Sequence, residues 1–140
     1  MIHRNTFLDH REPNTIMPFA RWTFRIAAVY GLLAIVPFYF REKQYGLDFP
    51  PAVTHPEFYY GFAGLVVVWQ LAFLLIAVDP PRYRSLMLIA VGEKLVFFVP
   101  AVILYSLGQL NTTMLAAACI DAVLGIAFFI AWRTTRPQPA

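Results

Sequence analysis

Four long apolar segments constrain the fold of this 140-residue chain more than any other feature. Each is roughly 20 residues long, the length that an α-helix needs to cross the hydrocarbon of a membrane. The segments are continuous and rich in Ala, Leu and Phe, whereas a membrane β-barrel shows shorter stretches of alternating polarity. The sequence therefore predicts four spanning helices, over residues 22–40, 58–78, 85–107 and 112–132.

The composition indicates that lipid surrounds most of the chain. Apolar residues make up 59% and charged residues 14%, whereas soluble domains contain about 45–50% and about 25%. A soluble domain of this length could not bury so much apolar surface. We therefore predict an all-α integral membrane protein, a four-helix bundle, with residues 1–21 and 133–140 as short polar tails.

Basic residues at the segment ends predict the orientation of the bundle. Seven arginines fall in the two tails and the second loop, namely Arg4, Arg11, Arg21, Arg82, Arg84, Arg133 and Arg136. The first loop carries only Arg41 and Lys43, and the third loop carries no basic residue. Since Lys and Arg are enriched in cytoplasmic loops, we expect a multi-pass protein of a bacterial inner membrane with both termini in the cytoplasm. No basic stretch is interleaved with aromatic residues, so nucleic-acid binding is not expected.

Five polar side chains within the predicted spans are the main candidates for a functional site. They are Arg25, Gln70, Glu93, Lys94 and Asp121. An ionised group in hydrocarbon costs at least about 2.5–3.5 kcal/mol, so each charge needs a partner or a purpose. The four formal charges sum to zero, and Glu93 and Lys94 leave their helix about 100° apart. The simplest arrangement therefore pairs Glu93 with Arg25 and Lys94 with Asp121.

This polar set is open to three interpretations. It can be a charge-balanced lock that fixes the packing of the helices. It can line a pocket in which Glu93 or Asp121 acts as acid or base on a lipid-soluble substrate. It can also be a relay for protons or ions, a role that intramembrane carboxylates do serve. The small residues Ala117, Ala118 and Gly125 near Asp121 favour a buried position for this carboxylate but do not separate the three interpretations.

A second candidate cluster lies in the first loop, which also contains several prolines, and it consists of Asp48, His55, Glu57, Tyr59 and Tyr60. A histidine beside a carboxylate can bind a metal or shuttle protons. Zinc, however, usually takes three or four protein ligands, so we expect a rigid loop at the membrane surface and no metal site. The spans contain no histidine for haem, and the single cysteine, Cys119, cannot form an internal disulfide. We expect no cofactor.

A resemblance to small uncharacterised bacterial four-span membrane proteins rests on several short stretches: His55-Pro56-Glu57-Phe58-Tyr59-Tyr60-Gly61, Trp69-Gln70, Asp79-Pro80, Arg82-Tyr83-Arg84 and Glu93-Lys94. In size and helix number the chain is also similar to the DoxX-like group, in architecture only. The resemblance implies a four-helix membrane bundle, and it implies no known activity.

These observations favour a non-catalytic membrane module that binds a lipid-like molecule or assembles with partner proteins. The expected partners are membrane lipids, and a lipid-soluble small molecule, a homo-oligomer and a larger membrane complex are left open. The alternatives are an enzyme that uses Glu93 or Asp121 on a lipid-soluble substrate and a proton-coupled carrier.

Overall fold

The computed structural model describes residues 16–136 as a set of helices joined by short connections. The elements are α1 (Ile16–Ile35), a 3-10 helix (Val36–Phe40), α2 (Glu42–Asp48), α3 (Pro56–Val78), α4 (Arg84–Ser106) and α5 (Thr112–Thr134). The described residues contain no strand, and four of the helical stretches are long and apolar enough to cross a membrane. The protein is therefore an all-α four-helix bundle, as predicted.

Local sequence signals account for the ends of the helices. α3 ends directly before Asp79-Pro80-Pro81, because the residue before a proline disfavours the helical conformation. Gly108 adopts a φ of +70° in the turn after α4, which a glycine does without steric cost. Asn111 then caps α5, since its side-chain oxygen accepts a hydrogen bond from the backbone N–H of Met114 at 2.9 Å.

Two features of the first half of the chain differ from the prediction. α1 begins at Ile16 rather than at Trp22, so the described part of the predicted N-terminal tail is helical. The predicted first loop contains α2, which is too short to be recognised from apolar periodicity. The rest of the predicted N-terminal tail, residues 1–15, and residues 137–140 of the predicted C-terminal tail lie outside the described residues.

The four long helices form two hairpins, α1 with α3 and α4 with α5. α1 also packs against α5, whereas α3 and α4 meet over a much smaller contact. We call the end of the bundle that carries Val78, Arg84 and Thr134 the tail end. The opposite end, which carries α2 and Pro56, is called the loop end.

The core that joins the two hairpins lies in the tail half of the bundle. Phe24, Phe73 and Phe128, from α1, α3 and α5, are fully buried there. Phe24 stacks on Phe128 with ring centroids 4.3 Å apart, and Phe73 meets Phe128 edge-on at 4.9 Å. Small residues complete this core and let the helices approach closely, namely Ala20, Ala27, Ala28, Ala77, Ala90 and Ala131.

Burial on the second hairpin decreases toward the loop end. Outside the shared core, the buried residues of α4 are Lys94 and Ala101, and those of α5 are Ala118 and Gly125. A lysine is thus among the few buried side chains at the inner edge of the shared core. Its surroundings define the candidate site.

Candidate functional site

Three of the five predicted polar residues form one ion cluster between α4 and α5. The Lys94 Nζ lies 3.0 Å from Asp121 Oδ1 on α5 and 3.2 Å from Glu93 Oε2 on α4. The three side chains are largely buried, with exposures of 7% for Lys94, 13% for Glu93 and 20% for Asp121. We call Glu93, Lys94 and Asp121 the Lys94 cluster. It links the two helices of the second hairpin through a single cation.

The Lys94 cluster lies close to the middle of the spanning helices. Glu93 and Lys94 are within two residues of the centre of α4, and Asp121 is two residues from the centre of α5. At the rise of an α-helix, each is within about 3 Å of its helix centre along the axis. Hydrocarbon surrounds the helices at this depth, so the contacts between these opposite charges offset part of the free-energy cost of burying them.

Asp121 makes the tighter of the two contacts with Lys94. Glu93 Oε1 accepts a hydrogen bond from Nζ only at 3.5 Å. Its Oε2 is closer, at 3.2 Å, but has no well-directed hydrogen bond from any described residue. The ion pair with Asp121 is therefore the shorter of the two, whereas Glu93 accepts the hydrogen bond from the ammonium. Glu93 adds a second negative charge beside the same ammonium.

Close helix packing and an aromatic ring surround the Lys94 side chain. Gly125 on α5 faces its stem, and a β-carbon at Gly125 would lie 3.3 Å from Lys94 Cβ. The ammonium lies 5.3 Å from the ring centroid of Phe73 on α3, within the range of a cation–π contact. Of the small residues singled out beside Asp121, Ala118 and Gly125 are buried and Ala117 is exposed. The small residues therefore let α4 and α5 approach where the ion pair forms.

The predicted pairing of Glu93 with Arg25 is wrong. Glu93 contacts Lys94 instead, and Arg25 is an exposed residue of α1 whose guanidinium lies 5.6 Å from the ring centroid of Trp22. The prediction assumed that neighbours about 100° apart on a helix cannot converge, which holds for their β-carbons. The flexible four-carbon stem of lysine nevertheless brings one ammonium to both carboxylates. The cluster therefore contains two carboxylates and one cation rather than four balanced charges.

Gln70 belongs to a different contact, between α1 and α3. It is 1% exposed, and its Nε2 donates a hydrogen bond to the Val66 carbonyl of its own helix at 3.1 Å. Its Oε1 is buried without a hydrogen-bond partner among the described residues. The amide packs against Gly31 of α1, where a β-carbon would overlap it. Sequence reasoning did not single out Gly31, although a glycine inside an apolar span is a signal of close helix approach.

The loop candidates His55 and Glu57 do lie together, at the start of α3. His55 Nδ1 is 3.1 Å from Glu57 Oε1, and the two side chains are 68% and 63% exposed. Within residues 16–136, no group of three or more His, Cys, Asp or Glu side chains is placed to hold a metal ion. This pair is a surface contact that accompanies the first turn of α3.

A second site joins the 3-10 helix, α2 and α3 at the loop end, and sequence reasoning named its Tyr59 and Tyr60 but not its partner Glu42. The Tyr59 hydroxyl donates to the Phe38 carbonyl at 3.0 Å, and the Tyr60 hydroxyl donates to Glu42 Oε2 at 2.8 Å. Beside these contacts lies an open groove of about 410 Å³. We call it the loop groove, and its lining includes Tyr39, Arg41, Glu42, Lys43, Leu47 and Tyr60. Besides Tyr60, the sequence signal for this groove was the coincidence of aromatic and basic residues at the end of the first span.

Comparison with known proteins identifies no relative. No known protein family, no curated protein and no solved structure matches the chain. The resemblance to small four-span bacterial proteins, and to the DoxX-like group in architecture, therefore stays a prediction.

Proposed function

We propose that this protein is a non-catalytic module of a bacterial inner membrane, with both termini in the cytoplasm, that binds a lipid-like molecule. In this proposal the Lys94 cluster is a structural lock between α4 and α5. The loop groove is the binding site.

The proposal rests on one observation, which is that both intramembrane carboxylates contact a cation of the same protein. Asp121 and Glu93 lie 3.0 and 3.2 Å from the ammonium of Lys94, in the contact between two helices. A general acid or base has to come within hydrogen-bond distance of its substrate. Here the nearest charged group is another side chain of the same protein. This arrangement supports a role in packing, because breaking a buried ion pair exposes an uncompensated charge.

The loop groove supports the binding half of the proposal. Small-molecule sites are concave and measure about 300–1,000 Å³, and the loop groove is an open concavity of about 410 Å³. The first candidate span ends at Phe40, and the groove lies directly beyond it. A site in this position opens at the boundary between hydrocarbon and water, where the polar part of a lipid-like molecule lies.

A proton-coupled carrier is the second candidate, and the charge of the Lys94 cluster favours it. Two carboxylates share one ammonium, so the fully ionised cluster carries an excess negative charge near the middle of the membrane. A proton bound to one carboxylate would remove that excess. Carboxylates within spanning helices serve proton relays in pumps and transporters for this reason.

Mass spectrometry of the protein purified in mild detergent separates these functions. We expect a lipid-like molecule at stoichiometric ratio that is retained by both wild type and E93Q, because Glu93 does not line the loop groove. If partner subunits co-purify at stoichiometric ratio and no small molecule does, the protein has an assembly role and not a lipid-binding role. Loss of a pH gradient from proteoliposomes, blocked by D121N, would establish the carrier. Turnover of a co-purifying lipid that E93Q abolishes without unfolding would establish an enzyme.

A further inference from the structure

The loop groove has the charges and the position of a phospholipid headgroup site. We infer that it binds the phosphate of an anionic membrane phospholipid, with Arg41 and Lys43 as the contacting cations. The inference deepens the proposed function, and it rests on that function in requiring that the protein bind a lipid-like molecule.

The groove lies at the depth where lipid phosphates are found. The first candidate span ends at Phe40, so Arg41 and Lys43 follow within one turn of the membrane boundary. Tyr39 and Tyr60 line the same groove, with ring centroids 6.0 Å apart. Tyrosine is favoured at this boundary because its ring is apolar and its hydroxyl is polar. The anion present there at the highest density is the phosphate of the lipid itself.

Charge complementarity favours an anionic ligand. Arg41 and Lys43 are exposed, and the ion pairs found among residues 16–136 involve neither of them. Glu42 is the acidic residue of the lining, and the neutral Tyr60 hydroxyl donates to its Oε2 at 2.8 Å. Two cations against one carboxylate leave an excess positive charge. Guanidinium and ammonium groups are the usual ligands of phosphate in proteins.

The second carboxylate of α2, that of Asp48, lies outside the lining of the groove. Asp48 accepts a hydrogen bond from Gln44 Nε2, four residues earlier, at 2.7 Å. Both acidic groups of the short helix are therefore engaged by uncharged donors. This arrangement leaves Arg41 and Lys43 available to a ligand.

The apolar rim of the groove distinguishes a lipid from free phosphate. Phe40 and Leu47 line the groove and are 84% and 76% exposed. A site for soluble phosphate gains nothing from such side chains, which would face water. A phospholipid places its acyl chains beside them while its phosphate meets the two cations. The mixture of cations and exposed apolar residues thus fits an amphipathic anion.

Contacts behind the groove hold its shape before any ligand arrives. The Tyr60–Glu42 hydrogen bond ties α2 to α3. Gly46, on α2, is buried against the following loop, and a β-carbon there would lie 3.1 Å from Ala52 Cα. A site that is already ordered loses less entropy when it binds a ligand.

Lipid retention measured by native mass spectrometry tests this inference on the full chain. The probes are phosphatidylglycerol and phosphatidylcholine, each titrated into delipidated protein. We expect wild type to prefer phosphatidylglycerol and R41Q/K43Q to bind it at least about tenfold more weakly, the effect of losing charge-assisted contacts. R82Q/R133Q is the matched control, because it removes two exposed arginines near the tail end and should stay close to wild type.

A second variant, which should strengthen lipid binding, keeps the test informative if R41Q/K43Q fails to fold. E42Q removes the negative charge of the groove but keeps an oxygen that can accept from Tyr60. It should therefore bind phosphatidylglycerol more tightly than wild type. A detergent melting curve for each variant separates a change in binding from a change in folding.

Four outcomes would overturn the inference. The first is equal phosphatidylglycerol binding by folded R41Q/K43Q and wild type, and the second is an equal loss in R82Q/R133Q. The third is weaker binding by E42Q. The fourth is saturable binding of inorganic phosphate alone that R41Q/K43Q abolishes, which would identify a soluble-phosphate site. If these results occur while another lipid-like molecule still co-purifies, the proposed function stands and the headgroup site is wrong. If no lipid-like molecule is retained at all, both fail.

Discussion

The buried amide of Gln70 on α3 packs against Gly31 on α1, in space that a β-carbon at position 31 would occupy. The missing side chain lets the two helices of the first hairpin approach at the level of a polar group. Gln70 keeps one hydrogen bond there, from its Nε2 to the Val66 carbonyl. The contact therefore combines a tight steric fit with a buried polar group.

G31A should destabilise the protein by about 1–3 kcal/mol, because the added methyl group displaces the Gln70 amide from its buried position. Denaturant unfolding in detergent measures the change. G61A and G92A are matched controls, since a β-carbon at either position meets nothing within 4 Å. G31A/Q70A should recover much of the loss, because the shorter side chain leaves room for the methyl group. A G31A protein as stable as G61A would contradict the close contact.

D121N should lower the free energy of unfolding by about 1–3 kcal/mol, because it removes the negative charge that lies nearest to the buried Lys94 ammonium, at 3.0 Å. E93Q should have a smaller effect, since the Glu93 carboxylate lies farther from the ammonium, at 3.2 Å, and lies on the same helix as Lys94. Joint replacement in E93Q/K94M/D121N should recover part of the stability, because no buried charge of the cluster is left alone. A double-mutant cycle that shows no coupling between positions 94 and 121 would rule out the lock.

R84Q should weaken the tail end of the second hairpin by about 1–3 kcal/mol. The Arg84 Nε donates to the carbonyl of buried Thr135 at 2.7 Å, and its guanidinium lies 4.7 Å from the Trp132 ring centroid. R82Q is the control, because Arg82 is exposed and its guanidinium lies 5.5 Å from the ring centroid of its sequence neighbour Tyr83. The melting temperature of each variant in detergent gives the comparison. Equal melting temperatures for the two variants would show that Arg84 is not an anchor.

Single-cysteine labelling tests the proposed orientation. C119S removes the only cysteine of the chain, and Q109C or R136C then introduces one at the loop end or the tail end. A membrane-impermeant maleimide applied to intact cells should label Q109C, whereas R136C should react only after the membrane is opened. This pattern follows from the excess of arginine at the tail end. The reverse pattern would invert the orientation.

Part of the candidate site could be predicted from the sequence. A lysine and a carboxylate buried in separate spans, with small residues beside the carboxylate, predict an interhelical pair, and Lys94 does contact Asp121. The partner of Glu93 could not be predicted in the same way. It depends on how far a lysine stem extends and on which way α1 is rotated, since Arg25 lies on an exposed face. Helical periodicity gives the direction of a β-carbon, but it does not give the position of a flexible terminal group.

The sequence by itself determined the number of long helices, their approximate lengths and most of their ends. These properties are local, because hydrocarbon thickness sets helix length and prolines, glycines and capping residues act within a few positions. The tertiary structure alone decided that Lys94 reaches two carboxylates, that Gln70 packs on Gly31, and that Tyr60 of α3 lies beside Arg41 and Lys43 in one open groove. Those contacts join residues far apart in the chain. They depend on helix rotation and on side-chain reach, which no single segment specifies.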